Sequence, residues 1–321
     1  MRVAVIDLGS NTIRLLVGEA DGAGGYLPVF ADQEITRLGE GLLPGGQLQA
    51  EPMRRSLSVL RRFRELAASQ GAIAMAAVGT SALREAVNRQ VFLDLAWREA
   101  GFCVRVVSGE EEARLTLRGV LAALGIPSEH LLMLDIGGGS TELLLAHGRE
   151  IRAVVSTNLG VVRLTEAHLK HDPPLAEELG AIRAVVSGRI ASLRTRELPA
   201  RTPGEILVGT AGTVTTLAAI DLSLDPYDSA RVTGHCLSRE RIADLLENLA
   251  RLPLQERRRV PGLEPGRADV IVAGTIVCLG VMDGLGFADL TVSDGGLREG
   301  ILLDFLERVA GQPPGRHCTE T

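Results

Sequence analysis

The chain carries one short pattern twice. Residues 3–18 read VAVIDLGSNTIRLLVG and residues 132–145 read LMLDIGGGSTELLL. The two align without a gap, with Asp7 on Asp135, Gly9 on Gly137, Thr12 on Ser140 and Leu15 on Leu143. Each is an apolar strand ending in aspartate, a turn of glycine and small polar residues, and a second apolar strand, which is how a β-hairpin is written. A turn needs Gly, Asn or Ser for its backbone. It does not need an aspartate at the same place twice. The repetition predicts a duplicated architecture, two α/β domains each opened by one hairpin, with a cleft between them. At 321 residues the chain is long enough for two such cores.

Apolar periodicity fills in both domains. The first holds the hairpin strands 3–8 and 13–19, a strand and loop in 31–42, and a helix over 51–69 with Met53, Leu57, Leu60 and Leu66 on one face. A buried strand follows at 73–80, a single helix over 81–101, a strand at 103–108, and a helix over 108–125 that Gly125 stops with Pro127 just beyond. The second domain has hairpin strands 131–136 and 142–146, helices near 160–170 and 175–197, a strand at 206–209 and a helix after the TAGT turn. Ser238 caps a helix reaching about Leu249. A buried helix over 267–283, a strand over 289–294 and a last helix over 296–309 complete it, and residues 311–321 read as a mobile tail. The domain boundaries expected are 1–123 plus 301–321 for the first and 124–300 for the second.

Several classes are excluded. With 45% hydrophobic and 23% charged residues the chain is neither disordered nor fibrous. The apolar stretch 270–282 lies between Asp269 and Asp283 and is too short to span a bilayer. Met1-Arg2 leads within four apolar residues to Asp7, which leaves no secretory leader. Cys103, Cys236, Cys278 and Cys318 show no CxxC spacing and suit reduced thiols in the cytoplasm. A net charge of −6 argues against broad nucleic-acid binding, though not against a small or linear polyanion met by local arginines. Lys170 is the only lysine, so nearly all the positive charge is guanidinium, which suits bidentate phosphate contacts.

The turns suggest phosphate. Glycine lets the main chain approach a ligand, and successive N–H groups then point at an anion. Gly9, Ser10, Asn11 and Thr12 in the first turn, and Gly137, Gly138, Gly139, Ser140 and Thr141 in the second, supply such donors. Asp7 and Asp135 could hold a divalent cation bridging the same phosphate oxygens. The stretch EILVGTAGTVTTLAAI (205–220) adds a strand, a Gly-Thr turn and a helix, which puts Gly209, Gly212 and Thr213 where a helix N-terminus faces an anion.

In SGEEEARL, Ser108 and Glu111 fit a capping box, and Glu110 can pair with Arg114. Ala113, Leu117, Val120, Leu121 and Leu124 form the expected buried face. Glu112 points elsewhere, toward Thr116 and Gly119, with no cation three or four residues on. Such a carboxylate in a cleft can serve a water as general base; the competing reading is a solvated acidic helix start. Arg84, Arg163 and Arg267 are candidate phosphate ligands that also have ordinary surface or capping readings. Arg14 lies beside the first turn, but strand alternation is expected to face it away. His168, His171 and Asp172 have metal-ligand spacing, although a solvated helix end is the commoner reading of such a pair. His235 and Trp97 suggest no chemistry.

Taken together, IDLGSNTIRLL, GTSALREA, SGEEEARL, DIGGGSTEL, GTAGTVTTLAA, PGLEPGRADVIVAG and SDGGLREG resemble the exopolyphosphatase and guanosine pentaphosphate phosphatase (Ppx/GppA) family, in the family's order from residue 3 to about 306. The resemblance implies two actin-like (ribonuclease H-like) α/β domains of the sugar kinase/Hsp70/actin superfamily, with the last helix returning to the first domain. It implies Mg²⁺-dependent, or Mn²⁺-dependent, release of a terminal phosphate from inorganic polyphosphate or pppGpp by water. Glu112 would be the base, Asp7 and Asp135 metal ligands, Ser140 part of the same site, and Arg84 a phosphate ligand. A cytoplasmic homodimer is the family expectation, with no nucleic acid or membrane partner. Longer members carry a C-terminal helical domain of the HD type, and this chain resembles the short two-domain form. The alternatives are a (p)ppGpp-binding sensor and an ATP-driven actin-like switch. A kinase would need a second-substrate pocket, for which no motif stands out.

Overall fold

Alternation in the first strand sends Val3 and Val5 to one side and Ala4, Ile6 and Leu8 to the other, and all five are buried. A strand buried on both faces sits inside a sheet with helices on either side. The computed structural model describes residues 1–310 except 23, 43–44, 126–129 and 149. The tail 311–321 with Cys318, and Pro127, lie outside the described residues. The chain divides into two units, residues 1–122 together with the segment from Gly296 onward, and residues 123–295.

The first unit contains β1 (Arg2–Leu8), β2 (Thr12–Ala20), β3 (Tyr26–Ile35), α1 (Ala50–Ser69), β4 (Ala74–Gly79), α2 (Ser81–Glu85), α3 (Arg89–Leu95), β5 (Val104–Val106) and α4 (Gly109–Leu124). Its sheet runs β3-β2-β1-β4-β5, antiparallel through the hairpins and parallel thereafter. One side of β1 packs on α1 and α3 through Leu60, Phe63 and Phe92. The other packs on Leu115 and on a helix named below, through Leu297, Ile301, Leu302 and Leu306.

The second unit contains β6 (Leu131–Ile136), β7 (Thr141–His147), β8 (Glu150–Thr157), α5 (Val161–His168), α6 (Ala176–Arg196), β9 (Ile206–Thr210), α7 (Ala211–Asp221), α8 (Ser229–Val232), β10 (Cys236–Ser238), α9 (Arg239–Arg251), α10 (Leu254–Arg257), α11 (Ile271–Leu285) and β11 (Asp289–Val292). Its sheet runs β10-β11-β9-β6-β7-β8. Read from β8 inward, β8-β7-β6-β9-β11 repeats the order of the first sheet, with β10 added at the edge. The repeat extends to detail. β4 and β9 both lead out through Val-Gly-Thr, at 78–80 and 208–210. The carbonyls of Gly79 and Gly209 each accept the N–H of the residue just past the neighbouring strand, Val107 and Ser293. Finally α12 (Leu297–Ala310) follows β11 in sequence but belongs to the first unit.

Several elements depart from the sequence expectation. The helix expected over 81–101 is broken. Ala86 is extended (φ −69°, ψ 127°), α3 restarts behind Asn88, and the last turn is a π-turn over Ala96–Ala100 closed by Gly101 in the left-handed region. The break is held by tertiary bonds that no local pattern announces: Asn88 exchanges two side-chain hydrogen bonds with Leu48, and the Val87 N–H donates to Gly46 O. The strand β8 was not anticipated, nor was the three-residue β10. Helix α11 begins at Ile271 rather than 267, after a 3₁₀ turn over Pro265–Arg267, and is buried on nearly every side as expected.

Candidate active site

The two hairpins fold alike. Asp7 stands opposite Arg14 and Asp135 opposite Glu142, at the same register. The Gly9 N–H donates to Thr12 O at 3.1 Å, and the Gly137 N–H to Ser140 O at 2.9 Å. A Cβ at Gly9 or Gly137 would meet that acceptor at 2.9 or 3.0 Å, so each turn is too tight for a side chain there.

In the first unit the turn residues Ser10, Asn11 and Thr12 are buried. The segment after β3 clasps them: Thr36 and Arg37 donate their N–H groups to Asn11 O, and Gly39 donates to Ser10 O at 2.8 Å. Asp7 shares the buried face of Val3 and Val5, and burial pushes its carboxyl up to about 6 against the pull of Arg14 and Arg298, with Glu299 adding to the rise. Arg14 therefore faces Asp7, which corrects the expectation that it turns away. Asp7 Oδ1 and Asn11 Oδ1 are buried without a hydrogen-bond partner. Two orphaned oxygens in one turn are the donor chemistry of a hard cation or its water shell.

Arg84 and Glu112 meet. The short helix α2 ends with Arg84, whose Nη1 donates to Glu112 Oε2 at 2.8 Å and to Val107 O at 3.1 Å. Glu112 is 8% exposed, in the first turn of α4. Helical counting rightly turned it toward Thr116 and Gly119. It missed that α12 buries this face: Thr116 and Gly119 are buried, whereas Leu121 and Leu124 are only partly so. The cation beside Glu112 comes from another helix, which a search three or four residues along could not find. Of the expected capping box, the Ser108 half is present and the Glu111 side chain goes to another partner. Ser108 Oγ accepts the Glu111 N–H at 3.1 Å, and the Glu111 carboxylate pairs with Arg105.

In the second unit the turn Gly137–Ser140 abuts the start of α5. The N–H groups of Val161 and Val162 donate to Gly137 O and Gly138 O, and a Cβ at Gly160 would lie 2.1 Å from Gly139 C. Thr141 is fully buried and donates to Leu159 O at 2.7 Å. Arg163 is half-buried in this first turn of α5. The Gly209-Thr210 turn delivers α7, whose N-terminus has no side-chain cap, since Thr210 Oγ1 donates instead to Gly295 O. Gly212 and Arg267 are packed together, for a Cβ at Gly212 would lie 1.9 Å from Arg267 Nη1. Arg267 is buried and paired to Glu264 at 2.8 Å, and Thr213 sits against Gly274 of α11. An uncapped helix N-terminus with a guanidinium on its glycine is built for an anion.

Glu142 escaped the sequence reading. It is 2% exposed, faces Asp135 across the hairpin and accepts a hydrogen bond from Ser156 Oγ at 2.7 Å. Like charges directly opposite on a hairpin repel. Counting the register outward from the turn would have found the pair. The histidine spacing at 168–171 leads elsewhere: His171 Nδ1 contacts Glu178 Oε1 at 2.9 Å, and no cluster of three metal-ligating side chains occurs among the described residues.

The chain resembles known proteins over nearly its whole length. The profile of the Ppx/GppA phosphatase family matches residues 17–309. Exopolyphosphatase 2 of Mycobacterium tuberculosis is 39% identical, over 94% of this chain and 98% of its own. Exopolyphosphatase 1 of Mycobacterium bovis is 30% identical, over 97% and 90%. Among solved structures, the Aquifex aeolicus Ppx/GppA family member superposes with a TM-score of 0.80 at 32% identity, covering 97% of this chain and 99% of that one. An exopolyphosphatase from Cytophaga hutchinsonii gives 0.84 at 28%, covering 96% and 98%. The family profile and these relatives cover nearly the whole length, and the chain belongs to the Ppx/GppA phosphatase family.

Proposed function

We propose that this phosphoanhydride hydrolase releases terminal orthophosphate from inorganic polyphosphate, and the 5′-γ-phosphate of pppGpp, with Glu112 as the general base for the attacking water. The observation that carries the reading is the Arg84–Glu112 pair. A buried carboxylate is held in one orientation by a guanidinium, and a guanidinium has the chemistry of a phosphate ligand. A terminal phosphate drawn to Arg84 arrives beside the carboxylate that must orient water. Positioning of this kind, with charge aimed at the equatorial oxygens, supplies most of the catalysis in phosphoryl transfer.

The remaining roles follow the chemistry of the two turns. Backbone N–H groups at Gly138, Gly139 and Gly209, and the side chains of Ser10, Asn11, Thr12, Ser140 and Thr213, cradle phosphate oxygens, while Arg267 at Gly212 adds charge. The Gly9 and Gly137 N–H groups and the Thr141 hydroxyl, expected as phosphate donors, are instead spent on closing the turns and on Leu159 O. Asp7, with its orphaned oxygen, and Asp135, with Glu142 across from it, have the hard-oxygen chemistry of Mg²⁺ or Mn²⁺ ligands. A bound cation would neutralise charge on the transferred phosphoryl group. The reading places the enzyme in the cytoplasm as a homodimer. Cys103, Cys236 and Cys278 are free thiols, and no helix among the described residues is long and apolar enough to cross a membrane.

The test is phosphate release with Mg²⁺ from short polyphosphate, long polyphosphate, pppGpp and ATP by the wild type and Glu112→Gln. Release from polyphosphate or pppGpp that falls at least about 100-fold in the variant is expected. Turnover of ATP alone, or tight guanosine-nucleotide binding without release, would replace this reading with the switch or the sensor.

A further inference from the structure

The sheet of the second unit delivers its phosphate turn at the carboxyl ends of β9 and β11, which are parallel neighbours with Val292 opposite Gly209. Ligands of open α/β sheets bind at that edge. The connection from α7 to β10 arrives there as well. The Gly234 N–H donates to Val292 O and the Val292 N–H to His235 O, both at 2.8 Å. Its foot is fixed by Asp221, which takes His235 Nε2 at 2.7 Å and Arg241. On this connection stands Tyr227, one of two tyrosines in an aromatic-poor chain. It is 49% exposed, yet its hydroxyl donates to Asp294 Oδ1 at 2.6 Å. Asp294 is immobilised in turn, its N–H donating to Thr233 Oγ1, next to Ser293, whose N–H donates to Gly209 O. A chain of hydrogen bonds thus ties the ring to the Gly-Thr turn. Tyr227 and the exposed Arg231 line one concavity of about 630 Å³.

We infer that Tyr227, with Arg231 beside it, is a stacking platform for the base of a nucleoside polyphosphate whose phosphates occupy the Gly209–Thr213 turn. A half-exposed ring pinned at its hydroxyl has little freedom to lose on stacking, and a guanidinium suits both the π-face and any further phosphate of the nucleotide. Polyphosphate has no base and would pass the platform by. The inference deepens the proposed function and rests on it.

Tripolyphosphate and GTP differ by a nucleoside on the same triphosphate, and pppGpp adds a 3′-diphosphate. kcat/KM for the three is measured on wild type, Tyr227→Ala and Tyr227→Phe. Loss of the ring should lower GTP and pppGpp by about tenfold or more, mainly through KM, with tripolyphosphate unchanged, and Tyr227→Phe should keep most of the nucleotide preference. Equal effects on all three substrates would make Tyr227 a mere anchor of the loop and overturn the platform, as would no effect on any. If the wild type splits tripolyphosphate but neither hydrolyses nor is competed by either nucleotide, the platform falls and the hydrolase stands. If no phosphate is released from any substrate, the hydrolase reading itself has failed, and the platform with it.

Discussion

Asp7 and Glu178 show how differently a buried carboxylate can be treated. Asp7 sits on an apolar face with an unpartnered oxygen, and its carboxyl is pushed up to about 6 from 3.8 by burial. The folded state then holds a proton more tightly than the unfolded chain, so stability is lost as pH rises through 4 to 6, by up to about 3 kcal/mol. In EDTA at pH 8, Asp7→Asn should melt higher than wild type. That advantage should vanish below about pH 4, and Mg²⁺ should raise the melting temperature of wild type more than that of the variant. Glu178 is the reverse. It contacts the His171 ring and accepts the Leu175 and Lys170 N–H groups, and these hold its carboxyl down at about 2. Its contribution is complete above about pH 4.5 and is lost as pH falls toward 2. Glu178→Gln should lower the melting temperature at pH 7, and the gap should close over that acid range. The Glu178 hub was legible only in part, since a carboxylate at the third position of a helix is a local cue and its partners at 170 and 171 are not.

At the scale of elements, glycines separate close crossings from mere flexibility. Where α4 and α12 cross, a Cβ at Gly300 would lie 1.8 Å from Leu115 O, and one at Gly119 would lie 1.9 Å from Gly296 O. Gly180 and Gly188 in α6 have open space where a Cβ would stand. Gly300→Ala should therefore cost about 3 kcal/mol or more in chemical denaturation, because backbone has to move. Gly188→Ala should stabilise by up to about 1 kcal/mol through helix propensity. Sequence patterns show these glycines as one residue type, and only the partner helix tells them apart. The same limit explains the broken helix over 81–101. Its period is helical throughout, and Leu48 and Gly46 decide the break from 40 residues away. The hairpins, by contrast, were legible in full, because a strand of period two and a glycine turn are local facts. β8 too is a local fact, written in the alternation of Ile151, Ala153 and Val155.

At the scale of the molecule, duplication was the readable part. One pattern seen twice foretold two sheets, and their strand orders match from the hairpin edge to the fifth strand. What the two copies do differently was not readable, because it depends on register. The residue facing the aspartate is Arg14 in one hairpin and Glu142 in the other, so the copies are electrostatic opposites. The second unit is one unbroken stretch, with its own core from Leu132 to Val292. Residues 123–295 expressed alone should unfold cooperatively in urea, whereas residues 1–122 alone should not, since Val3, Val5 and Leu16 would lack the cover of Leu297, Ile301 and Leu302.

The return of α12 to the first sheet sets an order of events during synthesis. Everything the second unit needs has left the ribosome before the first unit receives its last helix. The part translated first must then wait, with one side of β1 bare, while the part translated later is already complete. Nascent chains stalled before residue 297 should accordingly be the ones that chaperones hold, and the hairpin that opens the protein is among the last of its structures to become safe.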